Sequence, residues 1–152
     1  MSEVVIVMGS TSDSETMKNC ETYLKYFGIK YEVKIMSAHR NPHEVMDFSI
    51  NADKNGVKVI IAAAGLAAHL GGVIASHTVL PVLGVPMKGG VMDGLDALLS
   101  MVQMPAGVPV PTLAVGNAGA RNSAIVAAQI IALPCLEMKE KLLAFKKMGS
   151  KL

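Results

Sequence analysis

A short polar segment, Ser37-Ala-His-Arg40, carries side chains that could bind an anion and move a proton. It follows the alternating residues Tyr31–Ile35, which predict a β-strand. A guanidinium such as that of Arg40 can bind a phosphate through two parallel hydrogen bonds. The imidazole of His39 can exchange a proton near neutral pH. Taken alone, the segment is equally consistent with a capped turn in which Ser37 serves the following helix and the histidine is incidental.

A second candidate for anion binding follows the first predicted strand, Val4–Met8. In Gly9-Ser-Thr-Ser-Asp13, hydroxyl groups stand next to the start of a predicted helix, where free N–H groups and the helix dipole favour a phosphate. Asp13 suits a ribose hydroxyl better than a phosphate. A simple capped turn is the structural alternative. The segment matches neither GxGxxG nor a Walker loop, so neither a dinucleotide nor the phosphates of ATP are indicated.

The remaining histidines are less informative. His69 lies among small apolar residues at the beginning of a predicted helix, where binding and structural roles stay equally open. His43 and His77 fall within helical patterns and are assigned to structure. The loops contain few carboxylates besides Asp13 and Asp93 and no cluster of metal ligands, so hydrolysis by a metal or a catalytic triad is disfavoured. Proton transfer on a phosphorylated small molecule, without a protein-bound metal, is the chemistry that remains.

The elements that position these loops alternate between strand and helix. Apolar strands are predicted at 4–8, 30–36, 57–64, 80–85 and 111–116, and helices at 13–27, 42–55, 67–78, 94–102, 118–133 and 135–148. This order predicts an α/β fold, namely a three-layer doubly wound, flavodoxin-like or Rossmann-like domain with a parallel five-stranded sheet. Ligands of such folds bind outside the carboxyl ends of the strands, so the polar loops are expected to meet at one edge of the sheet.

Composition indicates self-association. The chain has 152 residues, of which 51% are hydrophobic and 17% are charged. A monomer of this size normally carries more charge, and the apolar surplus predicts an oligomer interface. We expect a single domain spanning 1–152. Its long C-terminal helical segment, about 118–152 and interrupted by Pro134, is expected to pack on a neighbouring subunit, with packing on its own sheet as the alternative.

Several partner classes are not indicated. The net charge is +2, and no basic block suggests nucleic acid. Glycines and prolines interrupt the apolar stretch 57–87, so no transmembrane helix is expected. No basic region precedes the first apolar run, which argues against a signal peptide. Cys20 and Cys135 lie far apart without metal-ligand spacing, and they predict reduced, structural thiols in a cytoplasmic protein.

Two other protein classes share the expected fold. A flavodoxin usually offers aromatic side chains in its later loops to stack on the flavin. This chain has no Trp, and its Tyr and Phe residues all fall in helix or strand patterns. A phosphorylation receiver domain needs an acidic pair after the first strand and an Asp at the end of the third. The third strand here ends in Ala-Ala-Gly65, so neither class is favoured.

Taken together, the segments closely resemble class I of the N5-carboxyaminoimidazole ribonucleotide mutases, enzymes of purine biosynthesis. GSTSD, SAHRNP and AGLAAHLGG follow the first three strands, and LPVLGVP, SMVQMPAGVPV and AVGNAGARNSAIVAAQIIA extend the likeness over essentially the whole chain. Class II relatives, which carboxylate aminoimidazole ribonucleotide directly with CO2, usually have Lys after SAH and replace the AAHL segment. Arg40 and Ala67-Ala-His-Leu70 therefore favour class I.

The resemblance implies roles for individual residues. His39 matches the essential acid/base of the family. The positions that match nucleotide-binding, phosphate-binding and carboxylate-binding residues are Ser10, Ser12, Asp13, Ser37, Arg40, Gly65, His69 and Leu70. The resemblance further implies a homo-octamer that uses no metal and no organic cofactor. Functional coupling to the ATP-dependent synthetase that supplies the substrate is a related expectation.

The reaction implied by the resemblance is a carboxylate transfer. CO2 leaves the exocyclic nitrogen of the ribonucleotide and is recaptured at the ring carbon, and His39 then moves the proton from that carbon to the nitrogen. Direct carboxylation by CO2 and a non-catalytic nucleotide-binding module are the alternatives. Ala63, Leu66 and Gly71 stand where the family usually has Gly, Gly and Pro. Of these, Leu66 introduces a bulky side chain near the reacting carboxylate.

Overall fold

The computed structural model describes all 152 residues, and its strands form one parallel sheet. The strands are β1 (Val4–Met8), β2 (Tyr31–Ile35), β3 (Val59–Ala64) and β4 (Val82–Pro86), in the spatial order β2-β1-β3-β4. β1 pairs in parallel with β2 on one side and with β3 on the other. The chain therefore changes direction across the sheet at β1 and β3, which is where ligands of open α/β sheets bind.

Helices cover both faces of the sheet, as predicted. They are α1 (Ser14–Phe27), α2 (Pro42–Asn51), α3 (Leu70–Ala75), α4 (Leu95–Val102), α5 (Asn117–Ala132) and α6 (Leu136–Lys147), with short 3-10 turns at Thr11–Asp13 and Val91–Asp93. The helix expected at 67–78 was predicted too long. Residues 66–69 instead form a turn, in which His69 N–H donates to the carbonyl of Ala67 at 2.9 Å.

Alternation along β1 divides the core into two layers. Val4 and Ile6 pack on the face covered by α1, α5 and α6, whereas Val5 and Val7 pack on the face covered by α2, α3 and α4. Every residue of β1, β3 and β4 is buried. Burial of both faces explains the continuous apolar runs that identified these strands in the sequence.

The predicted fifth strand, 111–116, is wrong. This segment pairs with β4 at one isolated bridge, Gly84 with Thr112. Gly84 N–H donates to the Pro111 carbonyl and Leu113 N–H donates to the Gly84 carbonyl, both at 2.8 Å. Prolines lack the N–H that a ladder needs: Pro111 has none to donate to Val82 before this bridge, and Pro86 of β4 has none to donate to Leu113 after it. The sheet therefore has four strands, although the segment still runs beside β4.

The C-terminal segment consists of two helices separated at Pro134. Phe145 of α6 is only 2% exposed and its ring lies 5.5 Å from that of Phe27, centroid to centroid. Leu136 and Leu143 of the same helix are 70% and 54% exposed. One face of α6 is thus anchored in the core of its own chain. The opposite side is exposed and carries charged residues such as Lys139 and Lys146 beside the two leucines, and its packing on a neighbouring subunit stays a prediction.

Both cysteines are free thiols. Cys20 is fully buried beneath α5, and burial raises the pKa of its thiol to about 12. This thiol stays protonated at neutral pH, which fits a structural role.

None of the helices combines the length and the apolar character needed to cross a lipid bilayer.

Candidate functional site

One cleft of about 370 Å³ lies at the carboxyl edge of the sheet, between the loops that follow the four strands. Its volume lies in the range of small-molecule sites. All the site residues predicted from the sequence line it: Ser10, Ser12, Asp13, Ser37, His39, Arg40, Gly65, His69 and Leu70. A larger groove of about 840 Å³ along β2 and α2 contains none of them. The residues that could bind an anion and move a proton are therefore brought together, as the strand order predicted.

The loop after β1 is organised by Ser10. Its side-chain oxygen accepts a hydrogen bond from Ser12 N–H at 3.2 Å and lies 2.9 Å from the Ser12 hydroxyl. Asp13 is 9% exposed, and burial raises the pKa of its carboxyl, an effect that hydrogen bonding from Ser10 and Ser12 opposes. Two hydroxyls and one buried carboxyl thus face the cleft beside the start of α1.

The loop after β2 is a turn closed by its own ends. Asn41 N–H donates to the carbonyl of Ser37 at 2.8 Å, and the Asn41 side-chain oxygen accepts from Ser37 N–H at 3.4 Å. The Ser37 hydroxyl accepts from the backbone N–H of Arg40 at 3.2 Å. Pro42 then begins α2. The turn fixes the backbone beneath His39 and Arg40, and the Arg40 side chain, which forms no ion pair within the chain, is available to an anion.

The two candidate histidines contact each other. His39 Nε2 lies 2.9 Å from His69 Nδ1, and the two rings are nearly perpendicular at 88°. In such a contact one nitrogen carries the hydrogen and the other offers a lone pair, so at least one of the rings is neutral. The sequence left the role of His69 open. Its position places it in direct contact with the residue predicted to transfer a proton.

The loop after β3 contains a strained residue. Leu66 has φ of 56°, a left-handed conformation that costs an L-residue about 1–2 kcal/mol. Its side chain is 62% exposed. Glycine adopts this backbone conformation without such a cost.

Ser100 of α4 supports that loop and was not identified from the sequence. Its hydroxyl oxygen accepts from Ala68 N–H at 2.8 Å and lies 3.3 Å from the carbonyl oxygen of Leu66. The only signal in the sequence is a hydroxyl-bearing residue within the apolar helix Leu95–Val102, where such side chains often bond to backbone. Ser100 positions the loop that carries His69.

The loop after β4 completes the cleft, and none of its residues was among the predicted site residues. Lys88, Gly89 and Gly90 line it, and Met92 and Asp93 have positive φ values of 50° and 53°. Asp93 Oδ1 accepts from Gly89 N–H at 3.0 Å, which holds the loop in this shape. The sequence indicates this residue only by its position, because Lys88 comes shortly after the end of β4 as His39 comes shortly after the end of β2.

Comparisons with known proteins agree in pointing to one family. The chain matches the AIR carboxylase family over residues 3–151. The N5-carboxyaminoimidazole ribonucleotide mutase of Vibrio cholerae serotype O1 is 51% identical over 143 residues, covering 94% of this chain and 89% of that protein. The mutase of the same name from Pyrococcus horikoshii is 50% identical over 144 residues, covering 95% and 80%.

A solved structure shares the fold. The crystal structure of Treponema denticola PurE superposes on this chain with a TM-score of 0.87 at 26% sequence identity, covering 97% of this chain and 90% of that one.

Removal of the buried carboxyl of Asp13 should change the pH dependence of stability. A pKa raised by folding means that the native state binds the proton more tightly than the unfolded state. The stabilisation that this provides is present at low pH and is lost as pH rises through the raised pKa. We expect Asp13→Asn to have a higher free energy of unfolding than the parent at pH 7 and a smaller difference near pH 4. Urea denaturation at both pH values measures this, with Asp53→Asn, at an exposed carboxyl, as the control. Equal differences at the two pH values would contradict the assignment.

Replacement of Leu66 by glycine should stabilise the fold. Leu66→Gly relieves the left-handed strain and is expected to raise the free energy of unfolding by about 1 kcal/mol. The matched control is Leu99→Gly, since Leu99 is 48% exposed and lies inside the right-handed helix α4. That control should lower stability by about 1 kcal/mol. Destabilisation by both substitutions in urea titrations would show that Leu66 is not strained.

Proposed function

The chain belongs to the AIR carboxylase family, and we propose that it converts N5-carboxyaminoimidazole ribonucleotide to 4-carboxyaminoimidazole ribonucleotide in de novo purine biosynthesis. The enzyme is an isomerase of the mutase type, the activity that names its half-identical relatives. The observation that carries the proposal is the single cleft in which Arg40, the hydroxyl loop after β1 and the His39–His69 contact are combined. Anion binding and proton transfer are the two capabilities that this reaction requires.

Substrate binding divides the cleft into two parts. Arg40 and the hydroxyls of Ser10, Ser12 and Ser37 bind the phosphate, with the start of α1 contributing its dipole. Asp13 accepts a hydrogen bond from a ribose hydroxyl. Phosphate binding is remote from the reacting atoms, so its free energy serves to orient the ring.

The carboxylate moves by release and recapture of CO2. The bond from the exocyclic nitrogen to the carboxyl carbon breaks, and its electron pair remains with the nucleotide. The ring carbon then attacks the CO2, which the loop at Gly65, His69 and Leu70 holds. A closed pocket prevents the loss of CO2 to water.

His39 moves the proton that completes the reaction. After recapture, the ring carbon carries both a hydrogen and the new carboxylate. A neutral His39 removes that proton and returns it to the exocyclic nitrogen, so no net proton is gained or lost. The contact with His69 Nδ1 fixes the orientation of the His39 ring. The transfer is redox-neutral and balances within the substrate, so the proposal includes no metal and no organic cofactor.

The proposal includes an assembly and a location. We propose a homo-octamer in the cytoplasm, where the chain receives its substrate from an ATP-dependent synthetase coupled to it. Exposed apolar side chains on and beside α6 support the assembly: Leu133, Leu136, Leu143, Met148 and Leu152. The free thiols Cys20 and Cys135 are consistent with a reducing compartment.

An absorbance assay for the ring-carboxylated product tests the reaction. One cuvette contains N5-carboxyaminoimidazole ribonucleotide, and the other contains aminoimidazole ribonucleotide with bicarbonate, both without ATP or added metal. We expect efficient conversion in the first cuvette alone. Efficient conversion in the second cuvette alone would identify a direct carboxylase. No conversion in either cuvette would favour a non-catalytic nucleotide-binding module.

Substitution of His39 should separate chemistry from binding. His39→Asn keeps a side chain of similar shape but removes the titratable nitrogen, so kcat is expected to fall by at least about 100-fold. Binding of the ribonucleotide product, measured by calorimetry, should stay within about threefold of the parent, because the phosphate contacts remain. The control is His43→Asn in α2, which should retain activity. Near-normal turnover by His39→Asn would refute the assigned role.

Charge placed on the exposed face of α6 should disrupt assembly. We expect the parent protein to have the mass of an octamer by light scattering. Leu136→Glu buries an unpaired carboxylate if Leu136 lies in an interface, and should shift the mass to smaller species. Lys147→Glu, at the end of the same helix, is the control for a charge change alone. A parent protein that is monomeric at micromolar concentration would contradict the proposal.

A further inference from the structure

Lys88 extends the cleft toward the far edge of the sheet. Arg40 follows β2 and Lys88 follows β4, which are the two outermost strands, and β1 and β3 lie between them. Three strand spacings place the ends of β2 and β4 about 14 Å apart. The loops of β2 and β3 carry the His39–His69 contact. The cleft thus has one cation from each outer loop, and the His39–His69 contact joins the loop of the outer strand β2 to that of the inner strand β3.

The ammonium of Lys88 has no partner within the chain. Lys34, Lys58 and Lys141 form the ion pairs of the molecule, and Lys88 Nζ donates no hydrogen bond to any side chain or carbonyl. Two carboxylates close to Lys88 in the sequence accept hydrogen bonds from backbone N–H groups. Asp93 accepts from Gly89 N–H at 3.0 Å, and Asp96 accepts from Val91 N–H at 3.2 Å. Lys88 therefore forms no ion pair within the chain, and it lines the same cleft as Arg40.

The stem of Lys88 is held in place by a glycine. A Cβ added at Gly116 would lie 3.2 Å from Lys88 Cγ and 3.3 Å from Cε. Gly116 has φ of 75°, and its N–H donates to the carbonyl of Pro86 at 2.9 Å. The aliphatic chain of Lys88 therefore lies across backbone that carries no side chain. Such packing reduces the rotamer entropy lost when the ammonium binds a ligand.

We propose that Lys88 is a specificity-determining residue, whose ammonium binds the carboxylate of the nucleotide and selects carboxylated over uncarboxylated ribonucleotide. The inference rests on the proposed function, which supplies a substrate with a phosphate at one end and a carboxylate at the other. Arg40 meets the phosphate and Lys88 meets the carboxylate beyond the histidine pair. Lys88 transfers no proton. Its contribution is charge-assisted binding that aminoimidazole ribonucleotide, which lacks the carboxylate, does not receive.

Calorimetric binding of two nucleotides tests the assignment. The probes are 4-carboxyaminoimidazole ribonucleotide and aminoimidazole ribonucleotide, which differ by the carboxylate. Lys88→Met should raise the Kd of the carboxylated nucleotide about tenfold and leave that of the uncarboxylated nucleotide unchanged. Lys88→Gln should behave as Lys88→Met does, and Lys88→Arg should restore most of the discrimination. Lys30→Met, at an exposed lysine outside the cleft, should change neither affinity.

A second comparison separates carboxylate recognition from general anion attraction. Arg40→Ala should weaken both nucleotides by a similar factor, because both carry the phosphate. Equal weakening of both nucleotides by Lys88→Met, or no weakening of either, would overturn the assignment. Turnover of the parent protein is measured separately with N5-carboxyaminoimidazole ribonucleotide. If the parent protein converts this substrate and Lys88→Met still discriminates fully between the two nucleotides, the role of Lys88 alone is refuted. If the parent protein does not convert the substrate, the proposed function is refuted.

Discussion

Parallel pairing of β1 with two neighbours is the constraint on which the site depends. β1 lies between β2 and β3 in register, with Val4 opposite both Tyr31 and Val59. Parallel strands in register end at the same edge, so the loops that follow them are held side by side. His39 and His69 are separated by 30 positions in the sequence, and this pairing brings His39 Nε2 to 2.9 Å from His69 Nδ1. A shift of register by one residue would move one loop by about 3.3 Å along the strand direction relative to its neighbour, and the two rings would lose contact.

The rigid sheet carries loops that contain conformational strain. Leu66, Met92 and Asp93 all have positive φ and lie in the two loops that close the cleft after β3 and β4. Such residues cost free energy and persist where surrounding contacts hold them, often at functional sites. Here the holding contacts are the Ser100 hydroxyl beneath Ala68 and the Asp93 carboxylate on Gly89 N–H. The core that surrounds β1 offsets this cost away from the cleft.

Much of the fold could be predicted because it depends on local patterns. The apolar runs of β1, β3 and β4 and the glycine that ends α1 are visible in the sequence, and they gave strands and helices close to their observed positions. The prediction of a fifth strand was wrong because an apolar run was given more weight than Pro111 and Pro86, whose missing N–H groups interrupt the ladder on either side of its one bridge. The length of α3 was predicted wrongly because the turn at 66–69 depends on tertiary contacts.

The sequence predicts which residues line the site better than it predicts the contacts between them. Residues after strand ends were expected to converge, and they do. Three contacts in the site join residues that are distant in sequence. They are His39 with His69, Ser100 with Ala68, and the side chain of Lys88 with Gly116. Periodicity carries no information about such pairs, which depend on how loops pack after the sheet has formed.

The central claim is that the cleft retains CO2 while the carboxylate moves. The direct test supplies N5-carboxyaminoimidazole ribonucleotide with a ¹³C-labelled carboxylate in the presence of excess unlabelled bicarbonate, and follows the label by NMR. The account predicts that the label is retained at the ring carbon of the product formed in the first turnovers. Product carrying unlabelled carboxylate from those first turnovers would contradict it, because the CO2 would then have come from solution and not from the substrate.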